Sequence, residues 1–207
     1  MTYNKTLKVI LVEPAGTINV GSVARLCENF NVNELRLVSP KCNYLAQEAK
    51  KMAVKGVKIL EKAKVYKDLN SALSDCSRII ATCGRKDHGE IPLNSNTDAL
   101  RWALESDREE TIALVFGRED KGLSNEELLK ANKVISLNTS KNYPSLNLSH
   151  AVAIVLHQFN QLNNLDLLKN HTKTSTPANL IKLEDCINDA GNLLLDIGFL
   201  MKHTYKA

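Results

Sequence analysis

Apolar residues in this chain come in short unbroken runs, separated by stretches where they recur every three or four positions. The runs at 7–12 (Leu-Lys-Val-Ile-Leu-Val), 35–38, 78–82 and 111–116 are rich in aliphatic and β-branched side chains and stop at turn-forming residues. Each predicts a buried strand, and residues 134–137 a last one. Between them Val20, Val23, Ala24 and Cys27 repeat at helical spacing, and 44–54, 69–73, 98–105 and 125–129 also read as helices. Residues 148–159 are apolar nearly all round, which predicts a buried helix. Strands alternating with helices define an α/β fold: a parallel sheet with helices on both faces, whose strand order the pattern leaves open. The polar stretch 163–177 reads as a linker. Beyond it Leu180, Leu183, Ile187, Leu194 and Ile197 predict one or two amphipathic helices.

With 207 residues the chain has room for one substantial core and an appendage. Aromatic residues make up only 5%, too few for a receptor that stacks many bases on exposed rings. A net charge of +4 permits a polyanionic partner without requiring one. The five cysteines show no CxxC spacing, so neither a zinc site nor a disulfide framework is expected. No leader and no membrane-length apolar run is visible, which makes the cytoplasm the expected location.

Three loops hold the candidate chemistry. The first, 13–25, has Gly16 and Gly21 at phosphate-loop spacing, but Ser22-Val23 stands where Lys-Ser/Thr is needed, so triphosphate hydrolysis is not expected. Arg25 follows on the helix; it is either a surface arginine near Glu28 or a guanidinium that grips a phosphate. The second, Phe116-Gly117-Arg118-Glu119-Asp120-Lys121-Gly122, ends a strand and opens a helix, as ligand crevices in α/β proteins do, yet its charges are wrong for an ordinary nucleotide loop. It is either a tight turn with solvated charges or a site in which helix-start amides hold a ligand and Glu119 accepts from a partner arginine. The third, 142–149, offers Ser145 and Asn147 as caps of the buried helix or as polar groups at the mouth of a pocket. His150 and His157 share a helix face, but no third ligand is evident and no metal is expected.

Taken in order, Asn19-Val20-Gly21-Ser22-Val23-Ala24-Arg25, Phe116-Gly117-Arg118-Glu119 with Gly122-Leu123, and Ser145-Leu146-Asn147-Leu148-Ser149 resemble the three motifs of the SPOUT-class RNA 2′-O-ribose methyltransferases of the TrmH/TrmJ type. The resemblance implies a sheet whose C-terminal part is tied in a deep trefoil knot, a departure from the rule against threaded chains. It assigns residues 1–162 to the methyltransferase domain and 163–207 to a linker and C-terminal helical extension. It implies S-adenosylmethionine as cofactor, held by Thr82, Cys83, Gly84, Gly117, Leu137, Pro144, Ser145 and Leu146. It further implies a homodimer in which Arg25 reaches the cofactor bound by the other subunit, with Asn19, Glu119, Ser145 and Asn147 shaping the catalytic site. The implied substrate is tRNA, at position 32 of the anticodon loop. Another tRNA position, ribosomal RNA, a base methyltransferase and a catalytically silent knotted RNA-binding protein are the alternatives.

Overall fold

The computed structural model describes residues 6–84, 89–105, 110–140, 142–143, 145–168 and 180–199. Six strands, β1 (Thr6–Val12), β2 (Glu34–Val38), β3 (Lys64–Tyr66), β4 (Arg78–Thr82), β5 (Thr111–Phe116) and β6 (Lys133–Ile135), form one sheet in the order β3-β2-β1-β5-β4-β6. Every pairing is parallel. The long apolar runs are the central strands because a parallel sheet is covered on both faces and leaves no polar side to alternate with. Val9 and Leu11 of β1 join one core, packed under α1 (Thr17–Asn29), α2 (Gln47–Ala53), α3 (Val57–Glu61), α5 (Asn96–Leu104) and the first half of α7 (Leu148–Leu168). Ile10 and Val12 join the opposite core, beneath α4 (Leu69–Leu73) and α6 (Asn125–Leu128).

The expected α/β architecture is present, with local differences. The helix α3 was not expected, and the last strand is Lys133–Ile135 where 134–137 was expected. The edge strand β3 escapes the hydrophobic pattern because its three residues are largely exposed. The helix α7 runs to Leu168, so residues 163–168 are helical where a linker was expected. Side-chain pairs one turn apart, Asn164 donating to Asn160 at 3.2 Å and His157 with Gln161 at 3.2 Å, support a polar continuation that apolar periodicity does not register. Compact packing separates residues 1–167 from 168–207. In the second unit α8 (Leu180–Asp196) is a single helix, and Ile187 and Leu193 on it are exposed. No described helix is long and apolar enough to cross a membrane.

The sheet's order has a switch at its centre: from β1 the chain first builds outward through β2 and β3, and later places β5 and β4 on the other side. Loops leaving the carboxyl ends of β1, β5, β4 and β6 therefore meet at one edge, where such sheets hold ligands.

One polar cluster interrupts the second core. Arg36 on β2 is only 1% exposed, yet its guanidinium grips Asp75 through two hydrogen bonds of 2.6 and 2.8 Å. Lys8 of β1 adds a third at 2.6 Å, Glu34 pairs with Arg36, and the Tyr66 ring lies 5.2 Å from the guanidinium carbon. Arg36 outweighs the opposing effect of burial and, with Lys8, holds the Asp75 carboxyl far below the usual carboxylate range. A group depressed on folding stabilises the protein above its unfolded pKa and loses that contribution as pH falls. Asp75→Asn should cost about 2–3 kcal/mol at pH 7, less than the ~3–5 for breaking a fully buried pair because Asp75 is half in water. In urea unfolding, the gap between the natural protein and the variant should hold constant above about pH 5 and close as pH falls below about 3.9. A gap independent of pH would show that the carboxylate charge is not what stabilises Arg36.

Candidate active site

The β1 loop reaches α1 through Gly16, the helix's N-cap, which has no side chain to satisfy the amides at this end. Glu119, from the loop after β5, supplies the missing acceptor. Its Oε2 accepts from the Ala15 amide at 3.0 Å, and its Oε1 accepts from the Gly16 amide at 2.9 Å and from Asn19 Nδ2 at 3.1 Å. Burial pushes this carboxyl up, but the Ala15 amide, the Asn19 side chain and the Gly16 amide together hold it below its ordinary value. Glu119 is thus an anion at neutral pH, placed at the positive end of α1. Among the described residues it accepts from the first loop of its own chain.

Asn19 carries the contact onward. Its Oδ1 accepts from Asn147 Nδ2 at 2.9 Å, and Asn147 Oδ1 in turn accepts from the Ser149 amide at 2.9 Å and the Ser149 hydroxyl at 2.7 Å. Asn147 thereby caps α7, one of the two roles open in the sequence, and bonds the first loop at once. One continuous hydrogen-bond chain, Glu119–Asn19–Asn147, joins the three turns through bonds that span 100 and 128 residues. In the same region Gly21 faces the Ala49 backbone of α2, so its part in the first motif is helix packing.

The 117–122 turn is held from the other side by Arg118. It donates to both Glu127 oxygens at 2.9 and 3.0 Å, to Glu13 at 2.6 Å and to the Gly122 carbonyl at 3.2 Å. Glu127 and Ser124 close a capping box on α6, so the start of that short helix is occupied by its own cap and does not present amides to a ligand. Gly117 has no alternative here, since a Cβ on it would lie 2.2 Å from the Gly122 carbonyl carbon. Arg118 went unassigned in the sequence; an arginine four residues from Gly122 and nine from Glu127 was the available signal.

These turns surround a cleft walled by Thr82, Cys83 and Gly84 after β4, the turn 116–122, Leu137 after β6, and Ser145, Leu146, Leu148 and Ala151 around the start of α7. At about 170 Å³ it exceeds several times the ~30 Å³ share of one water, enough for an organic group. Seven of the eight expected cofactor residues (Thr82, Cys83, Gly84, Gly117, Leu137, Ser145 and Leu146) stand in its wall; Pro144 lies outside the described residues. Glu119 also lines it, while Asn19 and Asn147 hold its rim from behind. Arg25 is exposed, is not in the wall of its own chain's cleft, and forms no ion pair with the described residues.

The donor set decides what fits. Arg118 is committed to Glu13 and Glu127, the Ala15 and Gly16 amides to Glu119, and Glu119 and Asp120 line the cleft with Lys121, so among the described residues there is no free nest for a polyphosphate. Leucine side chains and glycine backbone instead suit a phosphate-free nucleoside, and the carboxylates suit one that carries positive charge.

The profile of the SpoU rRNA Methylase family matches residues 6–157. The chain belongs to that family. It is 41% identical over 156 residues to the tRNA (cytidine-2′-O-)-methyltransferase TrmJ of Methanocaldococcus jannaschii, covering 73% of this chain and 66% of that protein. It is 30% identical over 154 residues to the tRNA (cytidine/uridine-2′-O-)-methyltransferase TrmJ of Escherichia coli K12, covering 74% of this chain and 62% of that one. The chain thus spans just under two thirds of these relatives' lengths. Among solved structures, a probable methylase family protein from Haemophilus influenzae superimposes with a TM-score of 0.71 at 26% identity, over 97% of this chain and 83% of that one. TrmJ from Z. mobilis gives 0.69 at 27% identity, over 95% and 82%.

Glu119→Ala should release the first loop without melting the sheet. Amide exchange at Ala15 and Gly16 should quicken by about tenfold or more while the β1 and β5 amides keep their protection. Unchanged exchange at those two amides would mean that the carboxylate does not hold the loop.

Proposed function

We propose that this protein transfers the methyl group of S-adenosylmethionine to a ribose 2′-hydroxyl of tRNA, at position 32 of the anticodon loop, acting in the cytoplasm as a homodimer. The observation that carries this reading is the cleft at the switch point whose three motif turns are joined through Glu119, Asn19 and Asn147. Support for the substrate comes from relatives named for tRNA cytidine and uridine 2′-O-methylation.

When bound, the cofactor supplies a sulfonium-activated methyl group. Leu137, Leu146, Leu148 and Ala151 would give it apolar walls, Gly84 and Gly117 would let it approach the backbone, and ionised Glu119 would favour its positive charge. In-line displacement demands alignment above all, and a cleft fixed by a hydrogen-bond chain provides it. A ribose hydroxyl is a weak nucleophile near neutral pH, so its proton has to leave as the new bond forms. Guanidinium keeps its proton, which leaves Arg25 to bind the adjacent phosphate and stabilise developing oxyanion charge. Ser145, a substrate phosphate or water takes the proton. Exposed, and without an ion pair among the described residues, Arg25 suits delivery into a partner's cleft, and the exposed Ile18 about two turns before it on α1 gives that face an apolar contact. The threaded C-terminal part is also proposed: from the edge strand β6 the chain must return across the cleft to Asn147, bound to Asn19.

Incubation with unmodified tRNA and labelled S-adenosylmethionine, followed by mass spectrometry of the digested nucleosides, tests the proposal. The expected product is a 2′-O-methylated cytidine or uridine mapping to position 32. Label on a base nitrogen, or tRNA binding with no transfer, would overturn it. Arg25→Lys should lower turnover by about a hundredfold, because a point charge cannot replace the bidentate fork.

A further inference from the structure

The basic character of this protein is concentrated in one segment. Residues 41–67 carry eight lysines against two glutamates, a surplus of six in a chain whose whole surplus is four. The remainder of the molecule is therefore slightly acidic, and the segment is its one strongly positive stretch. Within it Lys50 bridges to Glu61 at 2.8 Å, Lys64 pairs with Glu34, and Lys41 lies 3.6 Å from Glu13. Lys51, Lys55, Lys58 and Lys62 are exposed and form no ion pair with the described residues. They fall on α2, on the single turn 54–56, on α3 and at its C-cap.

Their position relates them to the candidate catalytic arginine. Gly56, between Lys55 and Lys58, lies so close to α1 that a Cβ on it would be 2.4 Å from the Ala24 carbonyl oxygen and 2.8 Å from the Arg25 amide nitrogen. The unpaired lysines thus begin beside the backbone of Arg25. Arg25 and the four lysines thus lie on elements packed against one another, and phosphates are the natural counterpart of such a group of exposed cations.

We infer that the α2–α3 surface carrying Lys51, Lys55, Lys58 and Lys62 holds the sugar-phosphate backbone of the RNA flanking the target nucleotide. The inference rests on the proposed reaction for the identity of the RNA and adds where, outside the cleft, that RNA is gripped. Lysines act here as point charges on phosphate, so the surface contributes affinity and register while sequence preference lies elsewhere. If Arg25 serves a partner's cleft, the phosphates are held by the protomer that does not donate the methyl group.

The test replaces all four lysines with glutamine and, separately, with arginine, and measures binding of an unmodified tRNA transcript between 50 and 200 mM salt. The glutamine protein should lose about three from the slope of log affinity against log salt, and about tenfold or more in affinity at 100 mM. Its KM for tRNA should rise by a similar factor, whereas the arginine protein keeps the natural slope. Binding of S-adenosylhomocysteine, unchanged in both variants, verifies that the cleft is folded. An unmoved salt slope with normal methylation would sink this surface and leave the proposed reaction standing. A lysine-dependent slope in a protein that methylates no ribose would support the surface and sink the reaction. Lysine-dependent binding to phosphatidylserine vesicles, with an unmoved tRNA slope, would mean that the exposed Met52 and Val54 and their lysines meet lipid, and would overturn the inference.

Discussion

One carboxylate organises the site. Glu119 stands at the end of the central strand β5 and accepts three hydrogen bonds from the turn that follows the neighbouring strand β1. Because β1 and β5 are paired in register along their whole length, their carboxyl ends leave the sheet side by side. The first turn has a glycine where a capping side chain would otherwise stand. The anion therefore does what the local sequence cannot: it satisfies the amides ahead of α1, orients Asn19, and through Asn19 fixes the start of α7. Arg118, next to it, turns the opposite way and ties the same loop to Glu13 and Glu127. Adjacent residues of opposite charge thus clamp one turn from two sides.

That arrangement explains the unusual chemistry of the loop. In nucleotide-binding folds the first turn after a central strand presents backbone amides to phosphate. Here the equivalent amides are spent on a protein carboxylate, and the nearest arginine on two glutamates. What remains open is a cleft with leucine and glycine walls and acidic side chains, which disfavours polyphosphate and favours a cationic nucleoside. Cationic groups free to meet nucleic acid lie elsewhere, on α1 and the α2–α3 layer. In the proposed reaction, this division would separate donor binding from substrate binding by charge.

Legibility in the sequence followed burial. The strands β1, β2, β4 and β5 stood out because their residues are buried on both faces, and α1 and α7 because their apolar faces are wide. The strand β3 did not, since Lys64, Val65 and Tyr66 line an exposed edge. The polar end of α7 reads as a linker for the same reason. At the site, the motif residues could be named from their order, but their bonds could not: Glu119 and Asn19 are 100 positions apart, Asn19 and Asn147 are 128 apart, and only the parallel sheet brings them together. Arg36 and Asp75 were silent for a similar reason, an ion pair 39 residues apart inside a strand that reads as ordinary.

If the three motif turns form one hydrogen-bonded unit, a double-mutant cycle across its middle link will register it. Urea unfolding of Asn19→Ala, Asn147→Ala and the pair would give the coupling free energy once the separate loss of the α7 cap has cancelled. Coupling of about 1 kcal/mol or more is expected, as for residues sharing one network. Additivity within about 0.3 kcal/mol would contradict it, since the turns would then be neighbours without being joined.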